Sequence, residues 1–182
     1  MEVLEAIHSR RSVREFTDRP VPDEVLRQII EAGTWAPSSG NMQAWEFVVV
    51  KSPHEKRKLV ETTDAGIVSR GGVNTQTWIL DAPVVVVVCY DVKRMTARYG
   101  RKGRELLTIL DCMACAENML LAATGLGVGS CPVIGFDPVA LKGALPIPAE
   151  LTPLLLVVLG YSKYAVQPPY RLPIEDVVRL VL

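Results

Sequence analysis

Arg10, Arg11, Ser12 and Arg14 gather three guanidiniums around one hydroxyl near the start of this 182-residue chain. A planar guanidinium donates two parallel hydrogen bonds to a phosphate edge, and a serine hydroxyl adds a further donor at short reach. The cluster is therefore suited to an anion of phosphate size. The competing reading is a solvated run of surface charge. A second polar segment weighs against it: Pro37, Ser38, Ser39, Asn41 and Gln43 lie between Trp35 and Trp45, with Gly40 to bend the backbone. Short donors and acceptors on a turn fixed by proline and glycine make a binding loop. An ordinary surface turn accounts for the proline, serines and glycine, but not for two flanking tryptophans.

Other candidate chemistry fails on spacing. Cys112 and Cys115 have the C-x-x-C separation, but no second pair or His pair completes a zinc site, and a thioredoxin-like motif opens a helix after a strand. This pair falls inside a long helical run, where small buried residues are the expected reading. His8 and His54 sit in helix-start or helix-face contexts and give neither a metal site nor a Ser-His-Asp arrangement. Gly125, Gly127 and Gly129 imitate a dinucleotide fingerprint, yet they follow a helix rather than a strand. They read as a glycine C-cap leading into the loop Ser130 to Phe136.

The elements that must position these residues follow from periodicity. Val3, Leu4 and Ile7 share one face of a short helix, from whose end the arginines emerge. A proline-started helix with early acids covers Val21 to Ile30, and an amphipathic helix covers Pro53 to Thr62. Strands are expected at Trp45 to Val50, Val84 to Tyr90 and Pro153 to Gly160. Leu106 to Ala123 reads as a helix of about five turns, apolar on nearly every face, so that a partner subunit is the expected cover. Ile174 to Leu182 ends the chain as a short apolar helix or arm. Strands and helices interleaved at uneven spacing indicate an α+β sandwich rather than a doubly wound fold.

Composition bounds the class. With 49% apolar residues the chain can close one core, and a single domain over residues 1–182 is expected. Twenty basic and twenty acidic residues cancel, which argues against recruitment of nucleic acid or an anionic membrane through a global field. The apolar run Pro83 to Tyr90 is far shorter than the ~20 residues of a membrane-spanning helix, and the acidic start at Glu2 and Glu5 is unlike a signal peptide. A cytosolic location is expected.

Arg10-Arg11-Ser12-Val13-Arg14-Glu15-Phe16, followed by Ala36-Pro37-Ser38-Ser39-Gly40-Asn41-Met42-Gln43-Ala44-Trp45, resembles the flavin-binding signature of the nitroreductase family. The resemblance implies a three-layer α+β sandwich with a mixed central sheet, an intertwined homodimer and FMN at the subunit interface. Arg10 and Ser12, with Arg11 in the same cluster, would bind the ribityl phosphate together with Arg171. Arg14 would face the N1/O2 edge, where a cation stabilises the charge of the reduced ring. Pro37, Ser38, Ser39, Asn41 and Gln43 would come from the neighbouring subunit. Pro132, Val133, Ile134 and Gly135 would pass over the ring, with the Ile134 and Gly135 amides near N5, and Asn74 or Gln76 would reach the pyrimidine edge. Ala44 stands where the family usually has proline, and residues 64–104 fit the pattern poorly.

The implied reaction is ping-pong. NAD(P)H gives hydride to flavin N5, and a nitroaromatic, quinone or flavin then takes the electrons, with no acid or base side chain and no metal required. Relatives that fragment flavin or remove halide, and a non-catalytic FMN-binding protein, are the alternatives.

Overall fold

The structure is a computed structural model and describes residues 1–64 and 76–181. Asn74 lies outside the described residues.

Four strands form the centre: β1 (Trp45–Val50), β2 (Val84–Asp91), β3 (Gly129–Val133) and β4 (Leu151–Gly160), in the order β1-β2-β4-β3. Every neighbouring pair is antiparallel, which corrects the expected mixed sheet. β2 and β3 do run the same way, but β4 inserts between them. Parallel pairing among the described residues is reduced to one bridge, Ser12 with Ser130.

The valine run of β2 is buried on both faces, as a β-branched run in a central strand should be. Its register with β4 shifts between Val88 and Cys89, where Pro153 faces Cys89. A bulge is where a strand tolerates a residue that cannot donate to the ladder.

Alternation divides the core in two. Val85, Val87, Val158 and Leu156 point to the side covered by α3 (Pro53–Glu61) and α6 (Pro138–Ala144), through Leu59, Val60 and Leu141. Val84, Val86, Leu155 and Val157 point to the side covered by α2 (Asp23–Thr34) and α5 (Thr108–Gly125), through Leu26, Ile29, Cys112, Cys115 and Met119. The result is the three-layer α+β sandwich expected. Each valine or leucine so buried stabilises the fold by about 1.5–3 kcal/mol before entropy is set against it.

α5 follows α4 (Val92–Lys102) and a π-helical turn over Gly103–Leu107. Its continuous run Val92–Gly125 contains a window long and apolar enough to cross a membrane, but the inner face of α5 packs on α2 and the sheet. Gly33 of α2 permits that approach, since a Cβ there would meet Met119 Cγ at 2.7 Å. Leu106 of the π-helical turn and Ile109, Leu110 and Met113 on the outer face of α5 remain exposed. α1 (Val3–Ser9) leaves Val3, Leu4 and Ile7 exposed as well.

Two boundaries differ from expectation. The glycine that takes positive φ after α5 is Gly127 (φ 72°), while Val128 N–H returns to the Ala123 carbonyl at 2.8 Å. Ser130 to Val133, expected in a loop, belong to β3. At the C-terminus only Ile174–Val177 (α7) is helical, and residues 162–181 are all exposed, so this segment is an arm.

Candidate functional site

The arginine segment leaves α1 in extended form and lies along the edge of β3. Val13 N–H donates to the Ser130 carbonyl at 2.9 Å, and Thr17 N–H to the Tyr161 carbonyl at 2.8 Å. Successive side chains of an extended segment alternate in direction. Arg10, Ser12 and Arg14 accordingly share one side of this segment, next to β3, whose Ser130 pairs with Ser12 and whose next residue is the buried Cys131. Burial pushes that thiol up, while the Arg14 charge, a hydrogen bond from the Ser12 hydroxyl and the Arg10 charge act to hold it down. Arg14 also lies over Trp78, 5.9 Å from the ring centroid, and Trp78 stacks on Phe16 at 6.2 Å. Arg10 has Glu117 of α5 at 3.9 Å.

Arg11 takes a different path. Its Nη1 donates to the carbonyls of His8 (2.7 Å) and Arg10 (2.8 Å), which caps the end of α1. The structure thus separates Arg11 from the trio that sequence grouped with it.

Beyond β3, Ile134 is 72% exposed and Gly135 is held from behind. The Gly135 carbonyl accepts from Asp64 N–H at 2.9 Å and from Gln76 Nε2 at 3.1 Å. Gln76 Nε2 donates also to the Asp64 carbonyl at 2.8 Å. Glycine is required at 135 because a Cβ would run into the Asp64 carbonyl oxygen. Gln76 therefore ties the loop to α3's end, with its amide group committed to backbone oxygens.

The second polar set is a 3-10 turn over Ser39–Asn41, with Gly40 (φ 58°), Asn41 (φ 55°) and Gln43 (φ 46°) in the left-handed region. Ser38 Oγ accepts the Gln43 N–H at 3.1 Å, and Gln43 Nε2 donates to Asn41 Oδ1 at 3.1 Å. Ser39 donates twice to buried Asp111 of α5, through N–H to Oδ2 (2.9 Å) and through its hydroxyl to Oδ1 (3.0 Å). Pro37, Gly40, Asn41 and Gln43 are exposed, and Trp45 is buried while Trp35 is 81% exposed. Among the described residues no hydrogen bond or ion pair joins this loop to Arg10, Ser12 or Arg14. Arg171 is likewise apart: it sits on the exposed arm and donates to the Tyr170 carbonyl at 3.2 Å.

The four cysteines are free and buried. Desolvation pushes Cys89, Cys112 and Cys115 up to about 12, which removes the thiolate that redox or metal chemistry needs. The C-x-x-C pair is core, as its place in the helix indicated.

Sequence reasoning passed over Asp111, Arg94, Arg98 and Trp78. Only Asp111 carried a signal, as the single charge between Glu105 and Glu117 in an apolar helix.

Residues 7–161 match the model of the Nitroreductase family, and the chain belongs to that family. It is 30% identical over 205 residues to a Thermus thermophilus protein named NADH dehydrogenase, covering 98% of this chain and 95% of that protein. It is 32% identical to the Bacillus subtilis protein named FMN reductase [NAD(P)H], over 97% of this chain and 72% of that one. A solved Desulfovibrio desulfuricans structure, described as a nitroreductase in complex with FMN, superposes with a TM-score of 0.80 at 29% identity, over 100% of this chain and 98% of that one.

Proposed function

We propose that this chain is an FMN-dependent oxidoreductase that passes electrons from NAD(P)H to a small organic acceptor and works as a homodimer. The observation that carries the reading is the placing of Arg10, Ser12 and Arg14 on one side of the extended segment that pairs with β3. Two guanidiniums and a hydroxyl on one side of an extended segment fit one phosphate and the electron-rich edge of a ring, and Trp78 backs Arg14. FMN bound there supplies a ring that takes hydride at N5 and hands the electrons on. Arg10 and Ser12 hold the phosphate, joined by Arg171 once the arm is docked. Arg14 faces N1/O2, and the amides of Ile134 and Gly135 face N5, with Pro132 and Val133 leading into that loop. Arg11 supports the end of α1.

The dimer reading rests on three uncovered features. Among the described residues the edge of β1 is unpaired, and beside it a groove of about 310 Å³ is lined by Val48, Val50, Leu145 and Pro146. The arm exposes Val177, Leu180 and Val181. The π-helical turn and the outer face of α5 expose Leu106, Ile109, Leu110 and Met113. Contiguous apolar surface of this kind marks an interface. In the dimer, Pro37, Ser38, Ser39, Asn41 and Gln43 reach the partner subunit's flavin, which accounts for their separation from Arg10 to Arg14 within one chain. A nitroaromatic, quinone or free flavin is the acceptor class, taken up in the space NAD(P)H leaves, and the enzyme works in the cytosol without nucleic acid or membrane.

The test is direct. Cofactor released by heat from the purified protein, or taken up on reconstitution, is identified by chromatography as FMN, and NAD(P)H bleaches the bound flavin. Recovery of FAD, or no uptake of FMN, overturns the reading.

A further inference from the structure

The Ser38–Gln43 loop carries Gly40, Asn41 and Gln43 at positive φ. Non-glycine residues hold that conformation only where surrounding contacts over-determine it. Those contacts come from a corner in the helical run Val92–Gly125, made of residues to which the proposed function assigns nothing. On its first arm, Arg94 Nη1 donates to the Gln43 carbonyl at 3.0 Å, and Arg98 Nη1 to the Gly40 carbonyl at 3.3 Å. Arg94 is itself oriented by Glu46 at 2.8 Å. On the second arm, Asp111 accepts both the N–H and the hydroxyl of Ser39.

The corner is built by glycines. Gly100 leaves helical geometry (φ 54°, ψ −138°), and a π-helical turn follows it at Gly103–Leu107. A Cβ on Gly103 would meet the Met95 carbonyl oxygen at 2.6 Å, so the two arms approach as closely as backbone permits. A Cβ on Gly40 would meet Tyr99 Oη at 2.5 Å and Arg98 Nη1 at 2.8 Å, so the loop is seated directly against the first arm. π turns inside helices recur at functional sites, where they change the direction of the helix beyond them.

We infer that Asp111, with Arg94 and Arg98, is a positioning set that holds the Ser38–Gln43 loop in its flavin-reaching conformation. The inference rests on the reading of this loop as part of the flavin site. It changes the part of Ser39, whose amide and hydroxyl are both committed to Asp111: Ser39 anchors the loop, and Ser38, Asn41 and Gln43 are left to meet the ligand. It also gives Arg94 and Arg98 of α4 a task, since both satisfy loop carbonyls.

FMN titration of the apoprotein tests this. Asp111→Ala leaves two Ser39 donors without their acceptor and should weaken FMN binding by about tenfold or more. Asp111→Asn keeps an amide oxygen for the Ser39 N–H and should restore most of the affinity, which a bulk stability effect does not do. Should Asp111→Ala fail to fold, Arg94→Gln on the exposed arm carries the test with the same expected direction. Wild-type affinity in Asp111→Ala, or in Arg94→Gln where it is the variant used, overturns the positioning set, as does an Asp111→Asn protein no better than Asp111→Ala. A wild-type chain that takes up no FMN in the same titration removes instead the flavin reading beneath it.

Discussion

Arg10 and Arg14 stand four residues apart on one extended segment, and their surroundings assign them different work. Arg10 lies within 3.9 Å of Glu117 at the end of α1, whereas Arg14 is exposed over Trp78. A phosphate contact is made equally in both redox states of a flavin, so Arg10→Ala should weaken FMN binding by about 1.5–3 kcal/mol and leave the midpoint potential unchanged. A cation at N1/O2 favours the reduced ring, so Arg14→Ala should lower the potential even at saturating FMN. Spectroelectrochemical titration of both variants decides it: an Arg14→Ala protein at wild-type potential withdraws the electrostatic role. The thiols permit a separate check. With Cys89, Cys112 and Cys115 pushed up to about 12 by burial and Cys131 raised as well, iodoacetamide at pH 8 should modify none of the four in the native protein and all of them in guanidinium. Rapid native labelling of any of these cysteines contradicts the buried-core assignment. The cluster Arg10, Arg11, Ser12 and Arg14 was legible from residue type, but the departure of Arg11 toward the carbonyls at the end of α1 was not. Ser39 as an anchor was not, because its partner Asp111 is 72 positions away and only the fold brings the two together.

At the scale of elements, signals with an unbroken period translated into structure, down to the short α1 and β1, and broken ones did not. β2 declares itself through an uninterrupted valine run, and α2, α3 and α5 through helical spacing and their starts. β3 reads as a loop because Gly129-Ser130-Cys131-Pro132-Val133 contains a glycine and a proline, yet proline is tolerated on an edge strand and Gly129 fits where a side chain would crowd Gly160. The α4–π–α5 corner was invisible for a similar reason: Gly100 and Gly103 break the helical period at the points that make the geometry. The arrangement of the sheet was the hardest to read, since the insertion of β4 between β2 and β3 has no local signature. Gly135 tests how tightly the loop after β3 is held. Gly135→Ala drives a methyl into the Asp64 carbonyl, so the loop must shift, at a cost of about 1–3 kcal/mol in unfolding free energy. A chemical-denaturation midpoint equal to wild type would show that the Asp64, Gln76 and Gly135 contacts are loose.

The whole chain exposes more large apolar surface than a monomer is expected to leave open. The outer face of α5, the face of α1 and an arm in which every residue from 162 to 181 is exposed together call for a cover. One sheet edge is blunted by the Arg10–Phe16 segment, but among the described residues β1 is unpaired along Val48 and Val49, with an apolar groove beside it. An unpaired edge beside an apolar groove invites a strand, and Val177, Val178, Leu180 and Val181 form a segment of suitable composition. A homodimer in which each arm lies on its partner, and each Ser38–Gln43 loop meets its partner's flavin, satisfies all of these at once. Light scattering of the FMN-loaded protein at micromolar concentration should therefore give twice the 20.0 kDa chain mass. Removal of residues 174–182 should shift that mass toward the monomer on dilution and release FMN in step, because the proposed flavin site is shared between the subunits. If the truncated chain keeps both its dimer and its flavin at the lowest measurable concentration, the arm is not what joins the subunits. A full-length monomer loaded with FMN goes further and excludes a shared site altogether.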